Sequence, residues 1–133
     1  ICLSSSVATD AAVDVVGYWD GAGARGTVLT PFRALDTRTD VRPLAGSTLH
    51  VPLAGLLPVG ANAMIANVTS VGPSAAGDLD AWACTTEPAG STVSYVSGET
   101  RAGAAAAALS AEGEWCLTTS AAAHLLIDVM VTF

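Results

Sequence analysis

Three cysteines, a short run of arginine and aspartate, and one aspartate-bearing strand hold most of the chemistry in this sequence. Cys2, Cys84 and Cys116 are an odd set, so a single intrachain disulfide leaves one thiol over. None of them stands in a CxxC or Cys/His spacing of the kind that holds zinc. A bridge in an oxidising compartment is the better use of a pair. Arg33, Asp36 and Arg38 alternate with Ala34 and Thr37 near the end of an extended run. There a carboxylate and planar guanidinium forks come within reach of one another. Such a group either clamps a sugar hydroxyl or carboxylate or fixes a loop as an ion pair, and the second use is the commoner. Asp78, Asp80, Trp82 and Cys84 share one face of a strand whose other face carries Leu79, Ala81 and Ala83. A tryptophan exposed beside a carboxylate offers a stacking surface to a sugar ring, and Trp82 with Asp80 is the candidate for that role.

Catalytic constellations are missing from the spacing. His50 and His124 lie outside any HExxH motif, and the run from Gly72 to Gly77, GPSAAG, is a turn rather than a GxSxG elbow. Glu112 and Glu114 flank Gly113 in a hairpin, too loosely for a paired-carboxylate site. Asp36, Asp78 and Asp80 offer oxygen ligands, but no DxDxDG-type loop arranges them. No metal, no cofactor and no catalysis are expected.

The elements that must position these residues are bounded by composition. A chain of 133 residues suits one domain and is long enough to bury a core. Its formal net charge is -7, with five arginines and no lysine, so it lacks the basic stripe a nucleic acid needs. No apolar run approaches the roughly 18 residues that cross a bilayer as a helix, so membrane insertion is not expected. Low charge density with abundant Ala, Gly, Val, Ser and Thr fits an exported protein, and the opening at Ile1 reads as a processed N-terminus.

Short strands account for nearly everything after residue 26. Val28-Leu29-Thr30 and residues 33–37 are brief extended runs around Pro31, and residues 48–53 alternate until Pro52 interrupts them. Residues 63–71, AMIANVTSV, have β-branched residues and alternation. Residues 78–84, 92–97, 115–119 and 125–133 complete the set, with Gly, Pro, Asn and Ser clusters at the spacing of a sandwich or barrel. Residues 102–109, AGAAAAAL, would be helical by propensity. They lack charged partners and a cap and stand between two strands, so a strand is expected there too.

An internal repeat organises the chain. Residues 1–19, ICLSSSVATDAAVDVVGYW, match residues 115–133, WCLTTSAAAHLLIDVMVTF. Cys2 aligns with Cys116, Leu3 with Leu117, Ser6 with Ser120, Asp14 with Asp128 and Val15 with Val129. The expected organisation is therefore the closing strands of a preceding copy over 1–19, a linker over 20–26, and one all-β domain over 27–133. Within the full copy Cys84 and Cys116 are the natural disulfide pair, and Cys2 is unpaired or intermolecular.

Several of these segments together resemble a tandem repeat domain of secreted actinobacterial surface proteins and hydrolases. Thr30-Pro31-Phe32-Arg33-Ala34-Leu35-Asp36-Thr37-Arg38 is close to that family's P-x-R-x-L-D-T-R opening. Leu44-Ala45-Gly46, Val51-Pro52-Leu53-Ala54-Gly55 and Ala66-Asn67-Val68-Thr69 before Gly72-Pro73 continue it. Asp14-Val15-Val16-Gly17-Tyr18-Trp19 matches its D-V-x-G-Y-F close. The second closing strand, residues 128–133, lacks the Gly-Tyr pair, and the family's usual Asn before the late strand is replaced around Gly103. The resemblance implies a secreted, cell-surface location and a repetitive all-β architecture, and it implies no activity.

The expectation is thus an all-β chain, a β-sandwich or jelly-roll-like domain of short antiparallel strands. Its expected use is non-catalytic adhesion or assembly outside the cell, with self-association through the N-terminal strand. The alternative is a carbohydrate-binding module that tethers a hydrolase to polysaccharide, with Trp82, Asp80, Arg33, Asp36 and Arg38 as its contacts.

Overall fold

The computed structural model describes residues 25–133, apart from 86, 88 and 89, together with residues 4, 6–8 and 23. Most of the segment expected to close a preceding copy, Cys2 included, lies outside the described residues, as does most of the linker. Among the described residues there are eight strands: β1 (Thr27–Asp36), β2 (Thr48–Pro52), β3 (Ala63–Val71), β4 (Gly77–Trp82), β5 (Val93–Tyr95), β6 (Arg101–Ala108), β7 (Glu114–Thr119) and β8 (His124–Thr132). One 3-10 turn, Thr37–Thr39, follows β1. No described helix is long and apolar enough to cross a membrane.

Every pairing is antiparallel, and the pairs are nested. β4 pairs with β5, β3 with β6, β2 with β7 and β1 with β8. The chain is one long hairpin rolled up on itself. Pairing of β8 with β3 and of β7 with β4 closes the roll into two four-stranded sheets, β1-β8-β3-β6 and β2-β7-β4-β5. This is the jelly-roll form of the sandwich, in line with the expected fold class.

Period-two alternation fills the space between the sheets. From one sheet come Met64, Ala66 and Val68 of β3 and Leu125, Ile127 and Val129 of β8; from the other come Val51, Leu79, Trp115 and Leu117, all buried. Trp115 is the largest of them, and its indole N–H donates to the Ala108 carbonyl at 3.0 Å. A buried indole needs that partner. The hydroxyl of buried Tyr95 accepts from the Ala121 N–H at 3.1 Å and lies 2.7 Å from Thr119 Oγ1.

Two segments show tertiary structure overruling local preference. The alanine run is strand β6, in register with β3 from Ala63↔Ala108 to Ser70↔Arg101. The pairing supplies what a helix without caps or charged partners lacks. Around Pro31 the chain forms one strand rather than two brief runs, with a register shift against β8 between Val28 and Phe32. β1 is the outermost strand of its sheet, the position where a missing N–H does least harm.

Candidate functional site

The arginine and aspartate run assembles as expected, with one addition from far along the chain. Register places Arg33 of β1 opposite Asp128 of β8. Arg33 Nε and Nη2 donate to Asp128 Oδ1 and Oδ2 at 2.9 and 3.0 Å, a bidentate pair. Its Nη1 donates to Asp36 Oδ2 at 3.2 Å. Arg38 grips the same Asp36 carboxylate from the other side, Nε to Oδ1 at 2.9 Å and Nη2 to Oδ2 at 2.7 Å. The Arg38 backbone N–H also donates to Asp36 Oδ1, at 3.1 Å, so Asp36 caps the 3-10 turn. These bonds, the Arg38 side chain foremost, hold the Asp36 carboxyl well below the usual carboxylate range.

Thr37, between them, points inward and locks the turn to β8. Its buried Oγ1 accepts the Leu125 N–H at 2.8 Å, and His124 Nδ1 lies 2.9 Å from its carbonyl oxygen. The run is therefore a latch that holds the end of β1 and its turn onto β8. Both carboxylates already accept from guanidinium groups within the chain. Asp128 stands 95 residues from Arg33, and local spacing could not assign it. Its one signal in sequence is that Asp14 holds the matching position in an equally apolar run.

The outer face of the second sheet carries the other candidates. Alternation along β4 runs as expected, with Leu79 buried and Ala81 packed on the core, and Asp78, Asp80 and Trp82 turned away. Trp82, however, is only 9 % exposed. A ring so covered offers little surface for stacking against a sugar. Asp80 lies opposite Thr118 of β7. Its Oδ1 is buried without a hydrogen-bond partner, and this burial, with Asp78 adding like charge, pushes the carboxyl up from its ordinary value. Arg33, Asp36 and Arg38 lie in the other sheet and the turn that follows its strand β1.

On the same outer face, Cys84 and Cys116 form the expected disulfide, across 32 residues of sequence. Cys84, just beyond β4, has φ 57° and is the one described non-glycine residue in the left-handed region. Register sets His50 of β2 opposite Cys116 of β7, and Trp82 of β4 opposite it on the other side. His50 Nδ1 lies 3.6 Å from Cys116 Sγ and 3.2 Å from Glu114 Oε2. This grouping was not legible beforehand, because His50 stands in no motif and reaches the sulfur only through strand register. No protein-family model matches the chain, and no curated protein is significantly similar to it.

Proposed function

We propose that the chain is an extracellular, non-catalytic surface module for attachment or assembly, in which residues 1–19 of one copy add as a strand to edge β6 of the next. The supporting observation is the contrast between the four outer strands. β1 contains Pro31, β2 ends in Pro52, and β5 is only three residues long. Prolines and short edges are the ordinary defences against unwanted strand pairing. β6 has none of them. It runs for eight residues without proline, its one charged residue is Arg101 at the start, and no strand lies beyond it among the described residues. Ala102, Ala104 and Ala108 are exposed along it and put no bulk in the way. A long edge with a charge only at its start is the template for an added strand.

The donor is suggested by the repeat, since residues 1–19 carry the pattern of the segment that forms β7 and β8. Such a contact joins two different surfaces, so it propagates into rings or filaments. The Cys84–Cys116 bridge suits an oxidising compartment, compatible with the extracellular location. The carbohydrate-binding alternative is weakened by the burial of Trp82, its anchor. Jelly rolls serve both capsids and lectins, so the fold alone favours neither reading.

Light scattering at several concentrations tests the proposal on three chains: the full sequence, a truncation beginning at Asp20, and Ala104→Lys, which puts a charge on the β6 edge. The expected outcome is concentration-dependent oligomers for the full chain and monomers for both variants. A full chain that stays monomeric throughout sinks the assembly mechanism, as do oligomers that persist in both variants.

A further inference from the structure

The outer face of the β2-β7-β4-β5 sheet brings three metal-ligating atoms together from three separate stretches of chain. His50 Nδ1, Cys84 Sγ and Cys116 Sγ all lie within 4.8 Å of one another. His50 comes from β2 and Cys116 from β7, and Cys84 stands two residues past the end of β4. We propose that reduction of the Cys84–Cys116 disulfide converts this cluster into a three-ligand site for a zinc-class divalent metal ion, held by His50 Nδ1 and the two thiolates.

Spacing is the first argument. Zinc binds imidazole nitrogen at about 2.0 Å and thiolate at about 2.3 Å, and a tetrahedral angle between them then sets N and S roughly 3.5 Å apart. His50 Nδ1 already stands 3.6 Å from Cys116 Sγ. Once the sulfur–sulfur bond is broken, the thiolates separate to ligand spacing, and the nitrogen already stands at that spacing from one of them.

Donor chemistry is the second argument. Two thiolates and an imidazole form a borderline-soft set that selects zinc-like ions over calcium or magnesium. The bridged sulfurs carry no thiolate charge, so the oxidised chain has no such set. The His50 side chain is 63 % exposed while Cys116 is buried, so the cluster meets solvent on its His50 side. Glu114 Oε2 lies 3.2 Å from the same nitrogen.

The conversion balances with a dithiol as reductant. The dithiol closes to its own disulfide and delivers two electrons and two protons, and the Cys84–Cys116 bond opens to two thiols. The metal ion then displaces both thiol protons to solvent. The His50 ring carries its proton on Nε2 instead of on the Nδ1 that faces the Glu114 carboxylate, which frees the Nδ1 lone pair for the metal. The affinity therefore depends on redox state, and the same two cysteines serve either as a staple or as ligands.

Cobalt(II) alone is the probe. The full chain is reduced with a phosphine, freed of it anaerobically and titrated, with far-ultraviolet circular dichroism followed alongside. The expected result is thiolate-to-cobalt charge transfer in the near ultraviolet with intense visible bands of a tetrahedral ion. The signal saturates at one cobalt per chain, is displaced by zinc and is absent from the oxidised chain. Cys2→Ser leaves the signal unchanged, and Cys84→Ser or Cys116→Ser abolishes it. His50→Ala weakens binding by more than about tenfold, since losing even a supporting residue of a metal site costs that much. A reduced chain that loses its strand signal and regains it with cobalt supports the site equally. Absence of bands, bands that require Cys2, or undiminished affinity in His50→Ala overturns it.

Discussion

Asp36 and Asp80 place the same side chain in opposite circumstances, and pH separates them. Asp36 accepts from Arg33, the Arg38 side chain and the Arg38 backbone, so its folded pKa lies far below the ordinary 3.8. In that interval the unfolded chain binds more protons than the folded one, and stability falls with pH. The Asp36 contribution is present above about pH 3.8 and is lost progressively below it. Asp80 is raised by burial, so its charged form weakens the fold and protonation relieves it. Urea midpoints measured from pH 7 to pH 3 are expected to show Asp36→Asn less stable than the parent at neutral pH, with a shallower acid loss. Asp80→Asn is expected to be more stable at pH 7, by an advantage that shrinks as pH falls through the raised pKa. A loss of stability in Asp80→Asn at pH 7 would contradict this account of its burial. Much of this chemistry was legible in the sequence, because Arg33, Asp36 and Arg38 are neighbours along the chain. Asp128 was not assigned to them, since cross-strand partners are set by register.

Strand β6 carries the lesson of the elements. Its alanines favour helix, yet the run pairs with β3 over its whole length. Gly103 marks how closely β5 approaches it: a Cβ there would stand 2.8 Å from Val93 Cγ2 and 3.2 Å from the Thr92 carbonyl oxygen. The valine methyl can shift, but the backbone oxygen has little room to do so. Gly103→Ala is therefore expected to destabilise by about 1–3 kcal/mol, the usual cost of overpacking. Ala104→Ser, on the exposed face of the same strand, is expected to stay within about 0.5 kcal/mol of the parent. Urea denaturation of the two variants side by side checks the difference. The position at Gly103 stood out in the sequence only as a departure from the resembled family's pattern, and its packing reason depends on the partner sheet.

At the scale of the whole molecule, the nested pairing makes most contacts distant in sequence. β1 meets β8 and β2 meets β7 only when the roll closes. Closing distant ends costs chain entropy, and the Cys84–Cys116 bridge removes part of that cost by tying a loop of 32 residues in the unfolded chain. The chain-entropy relation assigns a loop of this length roughly 3.5 kcal/mol. The double variant Cys84→Ala/Cys116→Ala is expected to lose about that much in urea denaturation while keeping the far-ultraviolet strand signal of the parent. A change well under about 1 kcal/mol would mean that the unfolded chain is already compact in this region.

By itself the sequence determined the all-β class, the split of β4 into a Leu79 and Ala81 face and an Asp78, Asp80 and Trp82 face, and the pairing of Cys84 with Cys116. These follow from alternation, turn residues and the repeat, which act locally or by counting. Tertiary structure alone decided the jelly-roll strand order, the capture of Asp128 by Arg33, the burial of Trp82 and the approach of His50 to the bridge. Each depends on which strand lies beside which, and on what covers a face once the sheets have met. Period two says which side chains share a face and leaves open what that face will meet.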